Sequence, residues 1–215
     1  MAGPSRKVAV VATAQTKHRR AATELSEVEM IQPVIQSVLD HVGGISSVDF
    51  TVSGSTDYLA GQAFSFVMTL DAVGAWPPIQ ESHVEMDGAW ALYEAWLKIQ
   101  AGHADSALVY GYSKASPGDL PSVMSRGLDP YYYAPLWPDS IAMAGLQARA
   151  MLDGGVITVE EMAQIAHRNR TAAADNPYAQ LKGSASVDEL LAAEMLSDPL
   201  RRHDCPPITD GGVAV

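Results

Sequence analysis

Two ionisable side chains, His83 and Glu85, lie two residues apart directly before an apolar helical pattern. Residues 79–84 form a short strand-like run, in which alternate side chains point to the same face, so His83 and Glu85 can share one face. A helix start favours the ionised form of a nearby carboxylate, because it carries the positive end of the helix dipole. This setting suits Glu85 as a general base with His83 as a relay, or purely structural roles in which Glu85 pairs with the helix start and His83 packs in its strand.

The helix that must position these residues is predicted between Glu85 and Gly102. Asp87 fits its N-cap, because its side chain can accept hydrogen bonds from the first backbone N–H groups. Gly102 supplies the stop. The apolar positions recur at helical spacing and are Ala91, Leu92, Ala95, Trp96 and Ile99. The pattern therefore predicts an amphipathic helix with one buried face, and Asp87 fits a cap better than a catalyst.

Strands and helices alternate through the first half of the chain. The strands are predicted at residues 7–13, 48–53, 79–84 and 106–112, and the helices between them at about 24–42, 56–73 and 88–101. Residues 7–13 are almost all apolar and rich in valine, which is typical of a strand buried on both faces. The alternation predicts a layered α/β fold with a mainly parallel sheet. No glycine fingerprint follows the first strand, which disfavours a nucleotide-binding fold.

The amino-acid composition changes after residue 113, and proline, glycine, serine and aromatic residues are frequent as far as residue 139. This stretch is too long for an ordinary connection and indicates a functional excursion or a subunit contact. Helices are predicted at about 141–152, 158–170 and 187–195, the second with a Thr158–Glu161 capping box. An aromatic group stands out in the excursion and comprises Tyr131, Tyr132, Tyr133 and Trp137. It fits internal packing, a partner interface or an acyl-chain wall.

Composition excludes several classes of function. The chain has 215 residues, a net charge of −11 and one cysteine, Cys205. The negative charge argues against a nucleic-acid partner. A single cysteine excludes an internal disulfide and a thiolate metal cage, and we expect no metal site. No apolar run reaches membrane-spanning length, so we expect a cytoplasmic protein that is not inserted in a membrane.

Three motifs in this order resemble the N-terminal half of a thiolase-superfamily protein of the sterol-carrier, lipid-transfer type. They are VEMDGAWAL at the helix start, AQIAHRNRTAAADNPYAQ from Ala163 to Gln180, and CPPITDGGVAV from Cys205 onward. The resemblance covers essentially the whole chain. It implies a thiolase-like layered αβαβα fold, with residues 1–215 as an N-terminal domain that includes a loop and helical excursion at about 113–185. It also implies a C-terminal thiolase-like domain outside this sequence.

The departure from the family pattern concerns the reacting residue. Glu85 stands where the family has its nucleophilic cysteine, and a carboxylate cannot form the thioester that thiolases use. Branch members without this cysteine include thiolase-like aldolases of steroid side-chain degradation. The resemblance therefore implies an acyl-CoA-dependent retro-aldol lyase that acts on a β-hydroxyacyl-CoA and needs no cofactor beyond the coenzyme A thioester. The alternatives are a catalytically silent lipid or acyl-CoA carrier or scaffold, and an acyltransferase of the acetyl-CoA acetyltransferase type.

Further expectations concern partners and substrate contacts. The resemblance implies a homodimer formed through the strand before Glu85, and a partner of the OB-fold, acyl-CoA-associated kind that docks on the aromatic excursion. Tyr112 follows a buried strand, at the end where α/β sheets carry functional groups, and is a candidate substrate contact. Asp87 and Tyr132 are the other candidates for substrate binding, beside Glu85 and His83 as the catalytic candidates.

Overall fold

The computed structural model describes residues 6–55, 59, 64–85, 88–183 and 185–215. The chain divides into two compact units. The first, the sheet unit, comprises Met1–Gly118 and Thr209–Val215, and the second, the helical unit, comprises Asp119–Ile208. The excursion expected at about 113–185 thus lies mostly in the helical unit, which extends beyond it to Ile208.

One mixed sheet organises the described part of the sheet unit. Its strands are β1 (Ala14–Gln15), β2 (Phe50–Ser55), β3 (Gln80–Glu85), β4 (Ala107–Ser113) and β7 (Gly211–Ala214), in the order β1-β7-β4-β2-β3. The three longest strands, β2, β3 and β4, run parallel, whereas β7 pairs antiparallel with β4 and β1. The predicted mixed, mostly parallel sheet is therefore confirmed.

Helices cover both faces of this sheet. On one face lie α1 (Glu27–Val42) and α2 (Ser65–Val73), whose apolar residues pack with Leu108, Tyr110 and Tyr112 of β4. On the other face lies α3 (Gly88–Gln100), where Ala91 and Ala95 pack with apolar residues of β2 and β4. This arrangement of helix, sheet and helix is part of the expected layered fold.

The apolar segment at residues 7–13 is not the buried strand that the sequence predicts. It forms no strand, and the side chains of Val8, Val10 and Val11 are exposed. Only the two residues of β1 reach the sheet, where they pair with β7. The pairing of β1 with β7 begins at Ala14 and Ala214, and Ala214 is the last residue of β7, so β7 does not extend alongside residues 7–13. A β-branched run is a strand only where a neighbouring strand accepts its hydrogen bonds.

Helix α3 also differs from its prediction, because its apolar face is only partly buried. Ala91 and Ala95 are enclosed, whereas Leu92 and Trp96 are more than 40% exposed. The larger side chains face outward beside residues 8–11, and together they line an open groove of about 520 Å³. The predicted cap of this helix, Asp87, lies outside the described residues.

The helical unit contains α4 (Leu120–Arg126), α5 (Ser140–Asp153), α6 (Val159–Ala173) and α7 (Val187–Leu191), with a hairpin of β5 (Met195–Ser197) and β6 (Leu200–Arg201). The Thr158–Glu161 capping box of α6 is present as predicted. Helix α7 is shorter than predicted, because Met195 begins β5. Among the residues that the structure describes, no helix is long and apolar enough to cross a membrane.

Candidate functional site

His83 and Glu85 lie on the same face of β3, as the alternation of a strand requires. The Nε2 atom of His83 is 3.1 Å from Oε2 of Glu85. The His83 side chain is 14% exposed and that of Glu85 is 42% exposed. The carboxylate is thus accessible to a substrate, while the imidazole that holds it is largely enclosed. The structure brings together the two candidates that the sequence singled out for catalysis.

Strand register places His83 and Glu85 in two polar rows across the three parallel strands. Ser53 of β2 is opposite both His83 and Tyr110, and Ser55 is opposite both Glu85 and Tyr112. All of these residues share the face covered by α1 and α2, because alternate residues of a strand point the same way. Polar residues from three strands therefore meet at the carboxyl ends of the strands, where parallel sheets carry their functional groups.

The imidazole of His83 is fixed by two neighbours from distant parts of the chain. Oγ of Ser53 is 2.8 Å from Nδ1 of His83. The ring of Phe66, at the start of α2, stacks on the imidazole with the ring centroids 4.1 Å apart and the planes 9° from parallel. Neither residue is distinguished in the sequence, since a lone serine in a strand and a phenylalanine in a helix are ordinary core residues.

Tyr112 lies inside β4 and not beyond its end, which corrects the sequence-based position. It is 6% exposed, and its hydroxyl is 2.9 Å from Oγ of Ser65 at the start of α2. Tyr112 therefore ties α2 to the sheet. A direct contact with substrate is not favoured at a side chain this deeply buried, so we assign Tyr112 a structural role.

A pair of glycines allows the start of α3 to approach the sheet closely. Gly54 and Gly111 are opposite each other in β2 and β4. A Cβ atom at Gly111 would lie 2.8 Å from the carbonyl oxygen of Gly54 and 3.9 Å from Cα of Gly88, the first residue of α3. A side chain at Gly111 would therefore displace neighbouring backbone at the point where α3 begins.

The remaining binding candidates are Asp87 and Tyr132. Asp87 lies outside the described residues. Tyr132 belongs to the helical unit and is 77% exposed, in a turn where the backbone N–H groups of Tyr131 and Tyr132 donate to Oδ1 of Asp129. The neighbouring Tyr131, Tyr133 and Trp137 are also exposed. This turn is an aromatic surface of the helical unit.

Cys205 has none of the features of an activated nucleophile. Burial, and secondarily the charge of Asp204, raises the pKa of its thiol above the ordinary value, so the thiolate is disfavoured. Within the described ranges, no group of three or more His, Cys, Asp or Glu residues is arranged to hold a metal ion.

No family model matches this chain. Among curated proteins, it is 26% identical over 220 residues to an acetyl-CoA acetyltransferase of Methanothermobacter thermautotrophicus, covering 98% of this chain and 56% of that protein. It is 28% identical over 137 residues to sterol carrier protein 2 of Homo sapiens, covering 59% of this chain and 25% of that protein. The chain therefore spans about half the length of the first relative, and its match with the second covers a quarter of that protein.

A solved structure of an Ltp2-ChsH2(DUF35) aldolase shares the fold. Its TM-score is 0.71 at 20% sequence identity, over 95% of this chain and 53% of that chain. The homologous sequences are thiolases and thiolase-like sterol carrier proteins. The chain is therefore similar in sequence to thiolases and sterol carrier proteins, and similar in fold to this aldolase.

Proposed function

We propose that the protein is a carbon–carbon lyase that cleaves a β-hydroxyacyl-CoA by a retro-aldol reaction, with Glu85 as general base. The observation that carries this proposal is the accessible Glu85 carboxylate, held by His83 at the helix start where the thiolase pattern has its cysteine. An acid–base pair at this position suits proton transfer rather than covalent catalysis. A bulky acyl group such as a steroid side chain is the substrate that the lipid-transfer resemblance suggests.

The reaction needs a proton acceptor and no redox partner. Glu85 removes the proton of the substrate β-hydroxyl, the oxygen electrons form a carbonyl, and the bond between the α and β carbons breaks. Its electrons pass into the thioester enolate, which takes up a proton at the α carbon. The products are a ketone or aldehyde and a shortened acyl-CoA. His83 donates to the carboxylate and orients it.

The assay for this activity supplies the protein, alone and with its cellular partners, with β-hydroxyacyl-CoAs of increasing size. We expect release of a ketone or aldehyde together with an equal amount of shortened acyl-CoA. The absence of cleavage in every combination would rule out the lyase.

Replacement of Glu85 tests the base directly. Glu85→Gln keeps the size and removes the proton acceptor, and we expect kcat to fall by about 10²–10⁴-fold. The matched control is Glu81→Gln, which removes an exposed carboxylate from the same strand and should keep wild-type turnover. If both variants turn over as the wild type does, Glu85 is structural.

Acyl transfer is the second candidate, because a relative that matches nearly the whole chain is an acetyl-CoA acetyltransferase. That reaction requires a thiolate, and Cys205 does not fit the role. Formation of acetoacetyl-CoA from acetyl-CoA by the same preparations would favour this alternative over the lyase. Binding of acyl-CoA without turnover in either assay would favour the catalytically silent carrier.

The active assembly is expected to contain more than this chain. A second thiolase-like half would cover the exposed side of α3, since the chain spans about half of its acetyl-CoA acetyltransferase relative. In the described sheet β3 is an edge strand, which suits pairing with β3 of a second copy in a homodimer. The aromatic turn at residues 131–133 suits a partner of the acyl-CoA-associated type.

A further inference from the structure

A buried hydroxyl lies directly behind the His83–Glu85 pair, and the mechanism above does not use it. Ser53 is 1% exposed and occupies the middle of the row that its register makes with His83 and Tyr110. Its Oγ atom is 2.8 Å from Nδ1 of His83. The next question is which of these two atoms donates the proton.

The carboxylate on the other side of the imidazole decides the direction. A neutral imidazole carries one N–H and one lone pair, and an ionised carboxylate can only accept. The 3.1 Å contact between Nε2 and the Glu85 carboxylate is therefore a hydrogen bond when the proton is on Nε2. Nδ1 then presents its lone pair, and the neighbour of Nδ1 must donate. The Ser53 hydroxyl is the group at hydrogen-bond distance there.

Tyr110 completes the row of hydroxyl groups behind His83. Burial raises the pKa of the Tyr110 phenol, and its side-chain hydrogen bonds with Thr69 and Ser53 offset part of this effect. Tyr110 consequently keeps its proton at neutral pH. The hydroxyl of Thr69 donates to the backbone carbonyl of Phe66, 2.8 Å away. Every hydroxyl of the row therefore has a partner of the required kind.

We infer that Ser53 is a positioning residue, whose hydroxyl donates to Nδ1 of His83 and thereby holds the ring in the orientation in which Nε2–H reaches Glu85. The imidazole then donates to Glu85 and holds the carboxylate in one orientation as a proton acceptor. The stacked ring of Phe66 fixes the plane in which this happens. The catalytic consequence rests on the proposed function of Glu85, whereas the tautomer does not.

The tautomer is measurable without any activity. The protein is labelled with ¹⁵N-histidine, its imidazole signals are recorded at about pH 8, where histidine is mostly neutral, and His83 is assigned from the signals lost in His83→Gln. We expect His83 to carry its proton on Nε2. Ser53→Ala should shift the signal of the unprotonated Nδ1, because this nitrogen loses its hydrogen-bond donor, and Ser53→Thr, which restores a hydroxyl, should return the wild-type signals. A proton on Nδ1 in the wild type, or unchanged signals in Ser53→Ala, overturns the inference.

Kinetics then separate this inference from the proposed function. With cleavage measured in the complete assembly, Ser53→Ala should lower kcat about tenfold with little change in KM, because the base is present but misaligned. Thr51→Ala is the matched control, a buried hydroxyl on the same face one row away, and should keep kcat. If Ser53→Ala lacks the wild-type circular dichroism spectrum, Ser53→Cys, which offers only a weak donor, takes its place.

The possible failures are distinct. A wild-type rate in Glu85→Gln refutes Glu85 as base, even if the NMR result stands. An inactive Glu85→Gln with wild-type NMR signals and kcat in Ser53→Ala refutes only the role of Ser53.

Discussion

At the scale of single residues, His83 owes its fixed orientation to contacts on several sides of one ring. Two hydrogen-bond partners hold its nitrogens, and Phe66 covers a face of the ring. Stacked aromatic pairs contribute about 0.5–1.5 kcal/mol beyond the area they bury. The stack therefore belongs to the stability of the site as well as to its geometry.

Replacing Phe66 by leucine tests that contribution. Phe66→Leu keeps an apolar side chain and removes the stack, and we expect the free energy of unfolding to fall by about 1–2 kcal/mol in urea titrations. The control is Phe64→Leu, since Phe64 is 69% exposed and its ring meets that of Phe66 in an edge arrangement with the centroids 6.2 Å apart. Its change should stay within about 0.5 kcal/mol. Equal losses in the two variants would show that the stack contributes nothing specific.

Only the part of the candidate site that lies within one strand could be predicted from the sequence. His83 and Glu85 are two residues apart, so strand alternation alone puts them on one face. Ser53 is 30 residues from His83 and meets it only through the register of β2 with β3. Register depends on the packing of the whole sheet, which no local pattern encodes. Tyr112 was misplaced for a related reason, because strand ends are set by pairing.

At the scale of elements, α1 continues through a proline in its interior. Pro33 is exposed on the outer side of the helix and has no N–H to donate to the carbonyl of Glu29. The helix is retained because one of its faces is buried in the core, and its start has a Ser26–Glu29 capping box. Tertiary packing thus outweighs a local preference against the helix.

Pro33→Ala should therefore stabilise the protein. The substitution restores a hydrogen bond and removes a steric clash, while the unfolded chain gains some freedom. We expect the free energy of unfolding to rise by about 2 kcal/mol, measured by urea denaturation. Gln32→Ala, at the neighbouring exposed position, should change it by less than about 0.5 kcal/mol. A loss of stability in Pro33→Ala would mean that the backbone at Pro33 is adapted to proline.

A second element-scale feature is Asp49, which joins the beginnings of β2 and β4. Its carboxylate accepts hydrogen bonds from the backbone N–H groups of Asp105 and Ser106, at 2.9 and 3.1 Å. The bond from Asp105 is the larger cause that holds the pKa of Asp49 below its ordinary value. The contribution of Asp49 to stability is therefore present above the unfolded pKa and lost as the pH falls through the folded pKa.

Asp49→Asn should lower the free energy of unfolding at neutral pH by about 1 kcal/mol, a modest value because the carboxylate is exposed to solvent. The difference from the wild type should shrink as the pH falls below about 4, when the wild-type carboxylate is protonated. Urea titrations across this range measure it. Asp40→Asn, on the exposed side of α1, controls for the loss of one charge. A difference that does not change with pH would contradict the assignment.

Local sequence patterns predicted most of the helices and strands. They failed where the secondary structure depends on residues that are distant in the sequence. Helix α1 was located by its apolar periodicity and α6 by its capping box, because both patterns depend only on residues that are close in the sequence. Residues 7–13 have the composition of a buried strand, yet β7, the strand with which β1 pairs, does not extend alongside them. Composition indicates the secondary structure that a segment favours, whereas pairing with neighbouring strands determines whether a strand forms.

At the scale of the whole molecule, the sheet unit carries a large exposed apolar surface. On α3, Trp90, Tyr93 and Trp96 form an aromatic row in which successive ring centroids are 5.5 and 5.7 Å apart, and all three are more than 40% exposed. Soluble proteins rarely leave such a surface open, and contiguous apolar patches mark interfaces. The same surface includes residues 8–11, which the sequence predicts to be buried and which are exposed in the structure.

The exposed face of α3 and the exposed residues 8–11 have one explanation if a second thiolase-like half covers this surface in the working assembly, as proposed above. The test is hydroxyl-radical footprinting of the 215-residue chain alone and of the assembly isolated from its source cells. We expect oxidation of Trp90 and Trp96 to fall several-fold in the assembly, because covered rings are shielded from solvent. Trp76, which is 86% exposed and lies outside α3, should be oxidised equally in both samples. Equal oxidation of Trp96 in the two samples would show that the outer face of α3 stays in solvent. This result would rule out the proposal that a second half covers it.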